Sequence, residues 1–144
     1  MNETHVQVRP ARRQDAGAVA TLAGELAMSF TFSRPAFEDS FPALLADPQA
    51  CLLVAAGEDD GPVGYLLGFC HHTFYANGPV GWAEEILVRG EHRRGGAGRD
   101  LMTAFEDWAR ARGCALVALA TRRAAPFYRA LGYEESAVYH RKML

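Results

Sequence analysis

The sequence predicts a single α/β (α+β) domain spanning residues 1–144, built on a mixed, mostly antiparallel sheet with helices on both faces. Three observations lead there. Apolar runs at 51–56, 63–74 and 82–88 are separated by short turn-forming stretches, the pattern of consecutive antiparallel strands. A strongly periodic helix follows the last of them and leads into another strand-like run, 115–120; a helical crossover of this kind makes the strands it joins parallel. The chain is 49% hydrophobic, enough for one substantial core, and carries no repeat or linker.

In order, Val6 and Val8 alternate in a first strand over 6–9, which Pro10 interrupts. Asp15 reads as the N-cap of a helix running to about Met28, with Val19, Leu22, Ala23 and Leu26 at helical spacing. A loop over 29–35 carries Phe30 and Phe32. Residues 36–46 are again helical, with Phe37, Phe41, Leu44 and Leu45 on one face, and Pro42 predicts a kink or a break into two short helices. The turn at 57–62 and the Asn77-Gly78-Pro79 turn delimit the long strand between them. Leu101, Met102, Phe105, Trp108 and Ala109 form the face of the periodic helix, which ends near Gly113. Pro126 opens a short helix closed by Gly132, and residues 138–143 supply a closing strand.

Composition excludes several classes. No apolar stretch is long enough to cross a membrane, and Met1 to His5 lack the features of a signal peptide, so a cytoplasmic location is expected. Cys51, Cys70 and Cys114 are isolated within apolar runs and read as buried thiols, and the histidines have no metal-ligand spacing, so no metal is expected. The net charge of −2 argues against broad nucleic-acid binding, but its distribution is uneven: residues 1–88 sum to −7 and residues 89–129 to +5. The basic segment suits a polyanionic ligand, and the acidic one a cationic small molecule.

The basic segment opens with Arg89-Gly90-Glu91-His92-Arg93-Arg94-Gly95-Gly96-Ala97-Gly98-Arg99, between a strand and a helix. Its glycines expose backbone amides, and the first helical turn adds unpaired N–H groups and partial positive charge, so the loop favours phosphate. A nucleotide P-loop would need Lys-Ser/Thr after the last glycine, where Arg99-Asp100 stand; a dinucleotide fingerprint would need glycine in place of Leu101. The spacing Arg93-x-x-Gly96-x-Gly98 instead resembles the pyrophosphate motif of the GNAT superfamily of acetyl-CoA-dependent N-acyltransferases. One strand later, Phe127-Tyr128-x-x-Leu131-Gly132-Tyr133 is similar to that family's Phe-Tyr-x-x-x-Gly-Phe/Tyr signature. Thr121 departs from the pattern, standing where many members have asparagine.

This resemblance implies a six- to seven-stranded sheet whose fourth and fifth strands splay apart around acetyl-CoA. Ile86, Leu87 and Val88 would pair with the pantetheine arm through their backbones, and amides over 94–99 (Arg94, Gly95, Gly96, Ala97, Gly98, Arg99), with Arg93, would hold the pyrophosphate. Thr121 would contact the arm with its hydroxyl. The resemblance further implies direct acetyl transfer to an amine in a ternary complex, or, if turnover is lost, an acyl-CoA-binding sensor; homodimers are common among such proteins.

A primary amine with a pKa near 10.4 is mostly protonated at pH 7, which costs about 4–5 kcal/mol, so a base is required. Glu84 and Glu85 lie just before the cofactor-binding run. Alternation along the strand turns at most one of them to the cleft. Glu84 is the favoured base, acting through water, because polyamine- and aminosugar-type members have an acidic pair in this register; Glu85 is the alternative or a cation-binding partner. His71 or His72 is a further candidate for the base. Tyr128 is placed to stabilise or protonate the leaving thiolate, with Phe127 as the core member of the pair. Phe30, Phe32, Tyr75 and Trp82 are candidate walls of an acceptor pocket.

Overall fold

The computed structural model describes residues 6–27, 29–93 and 95–144. Its single sheet has the order β1-β2-β3-β4-β5, with β1 (Gln7–Pro10), β2 (Ala50–Ala56), β3 (Pro62–Thr73), β4 (Gly78–Val88) and β5 (Val117–Leu119). The first three pairings are antiparallel and β4 pairs with β5 in parallel. The turns explain the hairpins. Between β2 and β3, Asp60 adopts φ 63° and the Asp59 carboxylate accepts from Gly61 N–H at 3.0 Å. Between β3 and β4, Asn77 adopts φ 59°, while Thr73 Oγ1 donates to Gly78 O and accepts from Ala76 N–H.

Helices α1 (Ala16–Leu26) and α2 (Arg34–Ala46) cover one face of the sheet, and α3 (Ala97–Ala111) with α4 (Ala125–Ala130) lies on the other. The first layer buries Val19, Leu22 and Phe41 on Val54, Tyr65 and Leu67. The second buries Leu101, Met102, Phe105 and Tyr128 on Leu53, Leu66, Ala83 and Val88. Strand alternation explains the split, since Tyr65 and Leu67 face α1 and α2 while Leu66 between them faces α3. The register shifts between Leu67 and Gly68 of β3: Leu67 faces Glu85 but Gly68 faces Ala83, so Glu84 is the extra residue of a bulge. Phe105 packs directly on this irregularity. A Cβ at Gly68 would lie 2.3 Å from its ring, so only glycine lets α3 approach here.

Four expectations are corrected. Asp15 stands at the N-cap position of α1 but its side chain makes no capping bond: its carboxylate accepts from Arg12 N–H at 2.7 Å and from the Arg9 guanidinium at 2.8 and 3.0 Å, while its backbone is already helical. Pro42 does not split the second helix. Ser33 caps one continuous α2, with Pro35 in its first turn, and the carbonyl left without a donor is that of solvent-exposed Glu38. The fourth strand begins at Gly78, not Trp82. No closing strand forms over 138–143, so the sheet has five strands. Val138, Tyr139 and Met143 are exposed in a segment with charged neighbours and no apolar face to bury.

The buried Asp15 carboxylate anchors the start of α1 to β1, and Arg9 reaches on to Asp60 in the β2–β3 turn. The Arg9 hydrogen bonds hold the Asp15 pKa below its usual range against the opposing effect of burial. Asp15→Asn is expected to cost about 3 kcal/mol in chemical denaturation at neutral pH, because it removes the buried carboxylate from Arg9 and leaves the guanidinium only its exposed partner Asp60. A depressed acid contributes its stability above the unfolded pKa of about 3.9 and loses it as pH falls through the lower folded value. The gap between wild type and variant therefore closes on acidification below about pH 4.

Candidate active site

The site grows from the way β4 changes partners. The ladder between β4 and β5 comprises Gly81–Val117, Trp82–Ala118 and Ala83–Leu119, and it stops there. Beyond it, β4 remains paired with β3 on its other edge. Arg89 N–H donates to Val63 O at 2.8 Å, so alternation turns the backbone groups of Val88 and Ile86 toward the edge that β5 has left. A gap lined by strand backbone therefore opens at Glu84 and runs to the glycine loop.

That loop is held at both ends. A short 3-10 turn over Gly90–His92 leads into it, and exposed Arg93 folds back so that its Nε donates to Val88 O at 3.0 Å. Gly96 takes φ 85° and serves as the N-cap of α3 without a side-chain bond. The first intrahelical bond runs from Asp100 N–H to Gly96 O, so the amides of Ala97, Gly98 and Arg99 precede the hydrogen-bonded ladder. Arg99 is exposed beside them, Gly95 is exposed, and Ala97 is buried as the first core residue of α3. Arg94 lies outside the described residues. No Cβ obstructs the loop at Gly95, Gly96 or Gly98, and the amides at a 15-residue helix N-terminus fit a pyrophosphate.

On the far side of the gap, Phe127 lies over Gly98, where a Cβ would come 3.1 Å from its ring. Phe127 is 37% exposed and Tyr128 only 7%, so Tyr128 rather than Phe127 is the core member of the pair. The reason is packing. The Tyr128 ring makes edge contacts with Phe127 and Tyr133 at 5.0 and 5.9 Å, and burial raises the pKa of its hydroxyl. Thr121 Oγ1 accepts from Ala124 N–H at 3.0 Å, which fixes the turn into α4.

The two carboxylates have different surroundings. Glu84 is exposed and accepts from the Trp82 indole N–H at 2.6 Å. Glu85 is half-buried and accepts from the Tyr65 hydroxyl at 2.7 Å; Tyr65 is almost wholly buried, and burial, together with the neighbouring charge and bond of Glu85, raises its pKa. Glu85 and Tyr65 line a cavity of about 410 Å³ that opens between α1, α2 and the sheet, with Phe30 and Phe32 in its wall. His71 and His72 are exposed at the end of β3, and neither they nor exposed Tyr75 belong to this lining. Tyr65 is the residue that sequence reasoning passed over. Its signal was a hydroxyl within an otherwise apolar strand, in register with Leu87, two residues beyond Glu85. The three cysteines are free; burial pushes the Cys51 thiol up to about 12 and the Cys114 thiol to about 11, so neither is a nucleophile at neutral pH.

Comparison with known proteins accords with this geometry. Residues 21–133 match the model of the acetyltransferase (GNAT) family. An aminoglycoside N(6')-acetyltransferase type 1 of Stenotrophomonas maltophilia is 34% identical over 110 residues, covering 69% of this chain and 71% of that protein. Among solved structures, a transcriptional regulator from Bacillus halodurans C-125 superposes with a TM-score of 0.87 at 22% identity, covering 97% of this chain and all of the other. The aminoglycoside N-acetyltransferase AAC(6')-Iy, in complex with the bisubstrate analogue CoA-S-monomethyl-acetylneamine, superposes with a TM-score of 0.80 at 22% identity over 98% and 100% of the two chains. The fold and the glycine loop define an acyltransferase. The chain belongs to the GNAT family of acetyltransferases.

Gly96→Ala forces a left-handed backbone on a residue with a Cβ, and is expected to destabilise the protein by about 1 kcal/mol. It should also weaken CoA binding, read as a smaller rise in melting temperature on adding CoA. Gly90→Ala, in open space and without a positive φ, is the control and should change neither.

Proposed function

We propose that this protein transfers the acetyl group of acetyl-CoA to a primary amine of a small molecule by direct attack in a ternary complex, with residues 1–144 acting as one N-acetyltransferase domain. The observation that carries this reading is the end of the β4–β5 ladder at Ala83. It leaves the outward backbone groups of Ile86 and the Val88 N–H to pair with the pantetheine arm, the Val88 carbonyl being taken by Arg93, directly upstream of the amides that would receive the pyrophosphate. The activity of the Stenotrophomonas relative, an N-acetyltransferase by name, supports an amine acceptor.

In this reading the amine nitrogen attacks the thioester carbonyl, a C–N bond forms and the C–S bond breaks. Glu84 takes the ammonium proton through a water; its exposure gives water access, and the Trp82 indole orients it. Glu85, held by Tyr65, pairs with the incoming ammonium. A backbone N–H of the run 86–88 polarises the thioester carbonyl. The Tyr128 hydroxyl, kept protonated by burial, donates a hydrogen bond that stabilises the departing thiolate, and the thiolate leaves with CoA.

Isothermal titration with acetyl-CoA, followed by thiol release with amines, tests the reading. Binding without turnover on any amine would favour a sensor, and absence of binding would remove the assignment of the loop. Glu84→Gln should lower kcat about 10²-fold with little change in acetyl-CoA affinity, and part of the loss should be recovered at high pH, where the amine deprotonates unaided. Tyr128→Phe should lower kcat by about tenfold or more at neutral pH.

A further inference from the structure

The cavity beside Glu85 carries information on the acceptor that the family match does not. Its walls include Phe30, Phe32, Phe37, Phe41 and Leu44, and among the described residues Glu85 is its one charged wall residue. Phe32, Phe37 and Phe41 form a continuous aromatic row, with ring centroids 5.9 and 5.4 Å apart. Tyr65 donates to Glu85 Oε1, leaving Oε2 to accept from a ligand. Arg141 Nη1 donates to Ser29 Oγ at 2.9 Å, and Ser29 directly precedes the wall residue Phe30 in the chain.

We infer that the acceptor is a monoamine with an apolar, preferably aromatic, body: one ammonium seated on Glu85 and a hydrophobic group of about one ring against the phenylalanine row. This rests on the acetyltransfer reading above and goes further by naming the acceptor's class. A polycation, whether a linear polyamine or an amino-substituted oligosaccharide, would bring several ammonium or hydroxyl groups into a chamber with a single carboxylate. Each surplus ammonium would lose its water with no carboxylate to pair with, since Thr31, Ser33 and Ser40 offer only neutral hydroxyls. The aromatic walls attract one ammonium and bury the hydrocarbon attached to it. About 410 Å³ accommodates a phenylalkyl group together with its ammonium.

The test compares 2-phenylethylamine and hexylamine with spermidine and neamine, by titration into the CoA-saturated protein and by thiol release with acetyl-CoA. The two monoamines are expected to bind, and to exceed both polycations in kcat/KM by about tenfold or more. Phe30→Ser, at a residue 70% exposed, should raise KM for 2-phenylethylamine while leaving acetyl-CoA affinity unchanged. Equal or tighter binding of spermidine or neamine, or no binding of either monoamine, would overturn the inference. Monoamine binding without thiol release would uphold the cavity's chemistry and instead count against turnover, so the two readings fail separately.

Discussion

A β-strand that is paired on both edges over Gly81–Ala83 and on one edge from there to its end is the constraint from which the site follows. β4 has β3 beside it throughout, but β5 accompanies it only to Ala83. An unpaired backbone inside a protein is costly unless something satisfies it, and here the unsatisfied edge lies between the sheet and the N-terminus of α3. The bulge at Glu84 sits at this divergence, and Phe105, admitted by Gly68, packs against it from the α3 side. The gap is thus a consequence of how the strands and α3 are packed.

Charge follows the same geometry. The loop side of the gap offers amides, a helix N-terminus, Arg93 and Arg99, which suit phosphate. In the proposed reaction the carboxylates of Glu84 and Glu85 at the strand end would meet a different problem, that of an amine arriving with a proton it must lose. The bulge breaks the alternation that would send these two side chains to opposite faces, yet their surroundings differ: one is exposed and bonded to Trp82, the other lines a cavity and is bonded to Tyr65. Two adjacent carboxylates in different environments can divide the tasks of binding an ammonium and accepting a proton.

Much of this was legible in the sequence because the signals were local. The glycine loop combined turn chemistry with a periodic helix immediately after it, and Gly113 and Gly132 adopt the positive φ values that helix ends favour. The elements that were misread depend on distant partners. Asp15 looked like a cap because the guanidinium that claims it comes from β1, and residues 138–143 looked like a strand although no apolar face fixes them to the sheet. Phe127 and Tyr128 were exchanged in depth because neighbouring positions on a six-residue helix cannot be ranked by periodicity. The pairing of Tyr65 with Glu85, twenty residues apart, required the register of β3 on β4.

The cavity illustrates why family membership and acceptor chemistry are separate questions. The cofactor side is built largely from backbone, which any sequence that turns and caps correctly can supply. The acceptor side is built from side chains of α1, α2 and the loop between them, and these are free to vary without disturbing the strand gap or the loop. In this chain they are phenylalanines and leucines around one carboxylate. Glu85 is half-buried and the cavity supplies no basic side chain among the described residues, so in the proposed reading its cationic partner comes from outside the protein. The missing positive charge is therefore the ligand's own, and the hydrocarbon walls specify what must be attached to it.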